Sequence, residues 1–215
     1  MCAVCAAALR ADPEYVCSGA ELPEIGAHDI VSISDTAPIR WNEQDDETNN
    51  GAGQSFQTGN RLEKNLITGV TFYGYSFWPS PEHVPWANLI VIIRIREGGR
   101  GGPLIASQTF QRPAVLQPGY LTFMFDTKPG ESFTWADENM EQDYKDEASG
   151  LVRFGRNTTF AVDTQSLNGG WRLNLYDADL IPGQFYVNHW EGWGGRDRRC
   201  VLHIATPPST LMILK

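Results

Sequence analysis

Residues 88–97 read NLIVIIRIRE, and this stretch decides the fold class. Apolar side chains occupy every second position from Leu89 to Ile95, while the opposite face becomes polar at Arg94 and Arg96. Successive side chains of a β-strand point to opposite faces, so a period of two indicates one buried face. The pattern therefore predicts an antiparallel strand with one side in a hydrophobic core.

The same alternation recurs in short runs on both sides of this strand. The glycine-rich segment 98–103 is interpreted as a hairpin turn, and residues 137–149 alone are compatible with a short exposed helix. Further strands are predicted over residues 28–34, 54–58, 66–75, 104–110, 120–126, 131–135, 151–154, 158–162, 170–176, 184–187 and 200–205. We therefore predict an all-β chain, namely an antiparallel, jelly-roll-like β-sandwich over residues 28–206. A short Cys-rich N-terminal extension (1–27) precedes it, and a C-terminal tail (207–215) follows it.

The charge balance limits the class of partner. The 215-residue chain carries a net charge of −9, which disfavours nucleic acid and anionic lipid as partners. The longest apolar run, residues 89–93, ends at Arg94 and is far shorter than the roughly 18 residues that a membrane-spanning helix needs. The sequence therefore predicts no nucleic-acid partner and no membrane span.

The N-terminal residues are small and apolar, but they lack the basic segment and the long apolar segment of a secretory signal peptide. No cleavable signal peptide is therefore predicted. Cys2, Cys5 and Cys17 lie in this region, and the fourth cysteine is Cys200. Two disulfides, a zinc site with an incomplete C-x2-C pattern, and free thiols are all compatible with this spacing.

Motifs of known catalytic sites are absent from the sequence, including the G-x-S-x-G nucleophile elbow and the phosphate-binding P-loop. The histidines, His28, His83, His189 and His203, are spread over the chain and are interpreted as surface or hydrogen-bonded residues. Glycoside hydrolysis needs two carboxylates facing each other across a sugar, whereas acidic residues here cluster in predicted loops. The sequence thus favours a non-catalytic protein over a glycan-active enzyme.

Two predicted loops carry tryptophan beside polar side chains: residues 77–86 read FWPSPEHVPW, and residues 189–197 read HWEGWGGRD. Indole rings stack on the apolar faces of sugars, and polar side chains bond the hydroxyl groups. The candidate ligand-binding residues are Trp78, His83, Trp86, Trp190, Glu191, Trp193 and Arg196. The alternative is that these tryptophans close the ends of the core. The ligand-binding interpretation requires both loops to lie at the same end of the sandwich.

An oxygen-rich cluster in the predicted acidic loop 43–51 is a candidate calcium site. Its proposed ligands are Asp45, Asp46 and Asn49, since Ca²⁺ takes several oxygen ligands at once. The run does not fit the 12-residue EF-hand loop, and the alternative is solvated surface charge. No other cofactor is predicted.

Several of the strand sequences resemble one class of domain. They are GQSF at 53–56, LITGVTFY at 66–73, IRIRE at 93–97, LIASQTF at 104–110 and LTFMF at 121–125, with WRLN at 171–174 and QFYVN at 184–188. Together they resemble the carbohydrate-binding-module-like jelly-roll domains of secreted bacterial surface and polysaccharide-active proteins. That resemblance implies a jelly-roll fold and carbohydrate binding.

The first ten residues, MCAVCAAALR, resemble the N-termini of some alphaproteobacterial type I-secreted, serralysin-like and calcium-binding proteins. That resemblance implies export without a cleaved signal peptide. The zinc motif H-E-x-x-H and the Gly-Asp-rich calcium repeats of that family are missing, so its protease activity does not carry over.

We therefore expect a non-catalytic extracellular or cell-surface binding module whose partner is a glycan or cell-surface polysaccharide. The alternative is a structural subunit of a virion, filament or surface layer. Such a subunit would associate with further copies through residues 1–27 and 207–215.

Overall fold

The computed structural model describes residues 16–19, 22, 24–33, 39–45, 52–77, 90–99, 101–111, 119–125, 133–166, 171–176, 180–183, 185–187 and 197–206. Within these residues the chain forms two antiparallel β-sheets packed against each other, together with one short helix. The prediction of an antiparallel β-sandwich is confirmed. No helix in the described part of the chain is long and apolar enough to cross a membrane.

The larger sheet has nine strands within the described residues. They are β1 (Val16–Gly19), β2 (Ile30–Ser32), β3 (Ile39–Asp45), β5 (Asn65–Phe77), β8 (Gly119–Met124), β10 (Arg153–Phe154), β12 (Trp171–Tyr176), β14 (Asp197–Arg198) and β15 (Cys200–Ala205). Strand β5 organises this sheet, because its 13 residues pair with β8, β10, β12 and β15.

The second sheet has six strands in the order β13-β4-β11-β6-β7-β9. Its strands are β4 (Ala52–Gln57), β6 (Ile90–Glu97), β7 (Leu104–Gln111), β9 (Thr134–Trp135), β11 (Thr159–Ser166) and β13 (Phe185–Val187). Helix α1 (Glu138–Tyr144) follows β9, where the side chain of Asp137 accepts a hydrogen bond from the amide of Met140 at 2.9 Å and caps the helix.

The hairpin between β6 and β7 confirms the turn predicted from the glycine-rich segment. Gly98 and Gly101 have φ angles of +66° and +73°, in the region that glycine enters without steric cost. A Cβ atom on Gly102 would lie 1.7 Å from the carbonyl oxygen of Glu97. The turn therefore needs glycine for conformation at two positions and for space at a third.

The core lies between the sheets and is filled by the apolar face of β6 and by phenylalanines from both sheets. Ile93 and Ile95 are completely buried. Phe154 and Phe160 stack with ring centroids 4.2 Å apart, which joins the edge of the larger sheet to the middle of the smaller one. Burial of such side chains contributes about 1.5–3 kcal/mol each, so this layer supplies most of the driving force for folding.

Two segments differ from the sequence prediction. Glu43, Gln44 and Asp45 were predicted to lie in the acidic loop 43–51, and this is wrong, because they form the end of β3 and pair with β12. Strand β3 pairs only with β12 within the described residues, and a polar edge strand carries no apolar alternation to reveal it. In addition, Val16–Gly19 of the predicted N-terminal extension forms β1 and pairs with β8.

Candidate functional site

Strand ends that bound the predicted Trp-rich and acidic loops meet at one end of the larger sheet. Phe77, the last residue of β5, pairs with Trp171, the first residue of β12. Asp45, the last residue of β3, pairs with the same tryptophan from the other side. The predicted loop that starts after Phe77 and the acidic segment that starts after Asp45 therefore leave the sheet side by side.

The smaller sheet brings the corresponding strand ends to the same end of the sandwich. Ala52, which begins β4, pairs with Val187, the last residue of β13. Ile90 begins β6 next to Ser166, the last residue of β11, since Ser166 pairs with the following residue of β6. Only residues 167–170 separate β11 from β12, so this edge of the smaller sheet and the Phe77 edge of the larger one form one end of the molecule. We call it the loop end.

Most of the predicted site residues lie outside the described residues. Asp45 is described as the last residue of β3, but its side chain is not. The remaining predicted site residues lie wholly outside the described part of the chain. They are Asp46, Asn49, Trp78, His83, Trp86, Trp190, Glu191, Trp193 and Arg196. Calcium binding and ligand binding at these residues stay predictions. In the part of the chain that the structure describes, no group of three or more His, Cys, Asp or Glu side chains is arranged to hold a metal ion.

A fully buried polar network lies inside the sandwich where the predicted loop 189–197 ends, because Asp197 begins β14 and pairs with Tyr176 of β12. The carboxylate of Asp197 accepts hydrogen bonds from the Gln54 side-chain amide at 2.7 Å and from the Ile181 backbone amide at 2.9 Å. It also accepts one from the backbone amide of Leu180. Gln54 in turn accepts from the backbone amide of Arg198 at 3.1 Å. The network therefore fixes the chain where it returns from this loop into the sandwich.

The guanidinium group of Arg198 extends this network across the interior. Its Nη1 donates to Oγ1 of Thr164 in the smaller sheet at 3.1 Å, and its Cζ lies 5.3 Å from the ring centre of Phe72 in the larger one. The Arg198 side chain is fully buried, so it cannot meet a ligand from solvent. A desolvated arginine is costly to bury without partners, and these contacts explain how the fold holds it. We call the set Gln54, Thr164, Asp197 and Arg198 the interior network.

Cys200 lies on the core face beside the interior network and is a free thiol. Burial raises the pKa of this thiol to about 12, while nearby Arg198 lowers it and Asp197 raises it further. Because the thiolate is the nucleophile and the metal ligand, this thiol is chemically inert in the folded protein. Of the alternatives for the cysteines, the structure shows a free thiol at Cys200.

A second constellation lies on the face of the larger sheet that points away from the core. His203 contacts Oδ2 of Asp29 through Nδ1 at 2.8 Å and Oγ1 of Thr71 through Nε2 at 2.7 Å. The hydroxyl of Thr71 lies 2.8 Å from that of Thr122. A carboxylate can only accept hydrogen bonds, so Nδ1 of His203 donates to Asp29, and in the uncharged form of the ring Nε2 accepts from Thr71. We call Asp29, His203, Thr71 and Thr122 the outer chain.

The outer chain has the order of groups found in acyl-transfer triads, namely a carboxylate, an imidazole and a hydroxyl. A nucleophile must be reachable by its substrate, whereas Thr71 is completely buried in the central strand β5. Asp29 also accepts from the backbone amides of Gly26 and Ile204, at 2.9 and 2.8 Å. The contacts therefore support a role in fastening residues 26–29 to the sheet and in orienting hydroxyl groups.

An ion triad occupies the outer face of the smaller sheet. The Nε atoms of Arg94 and Arg96 donate to the two carboxylate oxygens of Asp163, at 3.2 and 2.8 Å. The Asp163 side chain is only 2 % exposed, and the arginine side chains are 17 % and 15 % exposed. The polar face predicted for β6 is thus a nearly buried, ion-paired feature of the sheet and offers little surface to a partner.

Sequence reasoning missed the outer chain for a clear reason. Asp29 and His203 are separated by 174 positions, and spacing carries no information over that distance. One signal did exist: His203 is out of phase with the core-facing residues Leu202 and Ile204, so it had to lie on the other face of a strand whose neighbours are buried.

In comparisons with protein-family models, with curated proteins and with solved structures, none matches this chain. The function is therefore argued from this chain's own residues.

Proposed function

We propose that this protein is a non-catalytic, extracellular or cell-surface binding module that binds glycans through its Trp-rich loops. One observation carries the proposal: Phe77 and Ile90, which bound the first loop, and Val187, the last residue of the strand before the second loop, belong to one end of the sandwich. The chain returns from the second loop at Asp197, which pairs with Tyr176 further along β12. A shared end is the condition under which two loops of the same chemistry can act on one ligand.

The interior network supports the proposal through the rigidity it gives to the loop end. Asp197 is fully buried and holds the position where the second loop returns. The sequence of the first loop contains Pro79, Pro81 and Pro85, and proline restricts the backbone φ angle. A binding surface that is ordered before the ligand arrives loses less conformational entropy on binding. Tryptophans on such a base would offer flat apolar surfaces to sugar rings.

The described polar groups support a non-catalytic role. In the outer chain, His203 contacts the hydroxyl group of Thr71, which is buried. In the smaller sheet, the carboxylate of Asp163 pairs with two arginines. Both sets of contacts are those of groups that stabilise the sheets. Neither presents a general base to solvent.

A glycan array tests the proposal with the wild-type protein and the double variant Trp78→Ala/Trp190→Ala. We expect the wild type to bind a restricted set of glycans and the variant to lose at least about tenfold in affinity, as for the loss of central aromatic contacts. Trp135→Phe is the matched control, because Trp135 packs against the core. Wild-type binding to no glycan, or equal binding by wild type and double variant, would overturn the proposal.

One observation favours the second candidate, a structural subunit that assembles through its terminal segments. Strand β1, from the predicted N-terminal extension, forms the edge of the larger sheet against β8. A short terminal strand at a sheet edge can pair equally with a neighbouring subunit. Light scattering over a concentration series decides between the two: a mass that grows with concentration supports assembly, and a constant monomer mass contradicts it.

A further inference from the structure

The outer face of the larger sheet carries a row of hydrogen-bonded polar side chains that runs from buried residues to the surface. Phe72, Phe123 and Leu202 point into the core, so their chain neighbours Thr71, Thr122 and His203 lie on the opposite face. Thr71 is fully buried and His203 is 8 % exposed, whereas Thr122 is partly exposed. The outer chain therefore begins at the buried carboxylate of Asp29 and ends at a hydroxyl that meets the surface.

For the uncharged imidazole of His203 with its proton on Nδ1, the direction of each hydrogen bond follows from the chemistry of the groups. Asp29 accepts from Nδ1 of His203, Nε2 of His203 accepts from Thr71, and the Thr71 oxygen is then available to accept from Thr122. The hydrogen of the Thr122 hydroxyl is thus directed inward. The lone pairs of the Thr122 oxygen are then left to accept from a donor at the surface.

An aromatic ring and a guanidinium group lie on the same face of the sheet, two residues along β8 from Thr122. Tyr120 precedes Thr122 by two residues in β8, which places both side chains on one face of the sheet. The Cζ atom of Arg199 lies 5.8 Å from the centre of the Tyr120 ring, and its Nη2 donates to the Tyr120 hydroxyl at 3.3 Å. The arginine therefore holds the phenol ring beside the Thr122 hydroxyl.

We propose that Tyr120, Thr122 and Arg199 form a second carbohydrate-binding subsite, on the outer face of the larger sheet. This inference rests on the proposed glycan-binding function and names a part of the surface that the Trp-rich loops do not include. The face of the Tyr120 ring that Arg199 does not cover offers an apolar surface to a sugar, Thr122 accepts from a sugar hydroxyl, and Arg199 orients the ring. The occupant is a neutral glycan, since the subsite offers an oriented acceptor for hydroxyl groups.

The subsite lies within reach of the loop end. Tyr120 pairs with Tyr73, which precedes the end of β5 by four residues. At about 3.3 Å per residue, the subsite is about 13 Å from the strand end that bounds the first Trp-rich loop. An oligosaccharide held by the loops can therefore extend over the sheet face and contact both.

Titration calorimetry with neutral hexasaccharides of glucose, xylose and mannose tests the inference with the full chain. Thr122→Val keeps the shape of the side chain and removes its hydroxyl, and we expect its affinity to fall about tenfold, as for a lost hydrogen bond. Thr122→Ser keeps the hydroxyl and is expected to bind within about twofold of the wild type. Thr109→Val, at an exposed threonine on the other sheet, is the matched control and is expected to bind as the wild type does.

The role of Thr71 as a positioning residue has its own variant pair. Thr71→Val removes the acceptor for the Thr122 hydrogen, so the hydroxyl is no longer oriented and affinity falls about threefold, whereas Thr71→Ser preserves it. Thermal unfolding of each variant shows whether a loss of binding reflects a loss of folding.

The outcomes separate this inference from the proposed function. If the wild type binds a hexasaccharide and Thr122→Val binds it equally well, the subsite is wrong while glycan binding stands. Equal losses in Thr122→Val and Thr122→Ser would also overturn it, because the hydroxyl would then be irrelevant. If the wild type binds none of the hexasaccharides, the glycan-binding function and the subsite both fail.

Discussion

The interior network and the outer chain are built from similar groups but stand in different places. The interior network lies between the sheets, and all four of its side chains are fully buried. The outer chain lies on the outward face of the larger sheet and reaches the surface at Thr122. A polar network closed inside a core can only support structure, whereas one that ends at the surface can also orient a group toward a ligand.

This difference separates the groups that stabilise the loop end from those that present chemistry. Arg198 carries a buried guanidinium group, and its contacts include Thr164 and the face of Phe72. Thr122 shares a hydrogen bond with Thr71 and is partly exposed. Substitutions in the interior network should therefore affect stability most, and substitutions in the outer chain should affect it less.

The largest expected effect is that of Arg198→Met. Removing the guanidinium breaks its buried hydrogen bond to Thr164 and its contact with the Phe72 ring, so we expect a loss of about 3 kcal/mol in the free energy of unfolding. Urea denaturation measures it. Arg156→Met is the control, because Arg156 pairs with Glu63 at the surface, and it should cost less than about 1 kcal/mol. Equal small effects would show that the interior network does not hold the loop end.

A smaller effect is expected for Asp29→Asn. The amide nitrogen of asparagine cannot accept from Nδ1 of His203 or from Gly26, so the loss of charge-assisted hydrogen bonds should cost about 2 kcal/mol. The measurement is again urea denaturation. Asp137→Asn is the matched control, since asparagine caps a helix as well as aspartate does, and it should change stability by a few tenths of a kcal/mol. A neutral Asp29→Asn would mean that the outer chain does not fasten residues 26–29.

The smallest expected effect is the pH dependence contributed by Cys200. The unfolded thiol loses its proton near its ordinary pKa of about 8.5, whereas burial keeps the folded thiol protonated up to about 12. The folded state therefore binds more protons in this window, and stability falls as pH rises above about 8.5. Between pH 7 and 9 the contribution should be less than about 1 kcal/mol. Denaturation of wild type and Cys200→Ala over this range measures it as a difference in slope, and identical slopes would contradict the buried thiol.

Particular residues show how far the sequence predicts this molecule. The alternation in β6 predicts the strand and its core face correctly, because the spacing of apolar residues along a strand shows which face is buried. Strand β3 is missed since its polar residues resemble a loop. Arg198 is missed as an interior residue because its partners Gln54 and Thr164 are distant in sequence, and arginine is ordinarily exposed. The chemistry of the Trp-rich loops is predicted from their composition. Which end of the sandwich their flanking strands reach could be determined only from the registers of the two sheets.

The most direct test of the central claim is nuclear magnetic resonance of the indole groups during a glycan titration. The chain contains seven tryptophans, so the indole N–H signals can be assigned one by one with Trp→Phe variants. Addition of a neutral oligosaccharide should shift the signals of Trp78, Trp86, Trp190 and Trp193 and leave that of Trp135, which packs against the core, unchanged. Unchanged signals from all four loop tryptophans at saturating oligosaccharide would contradict glycan binding at the loop end.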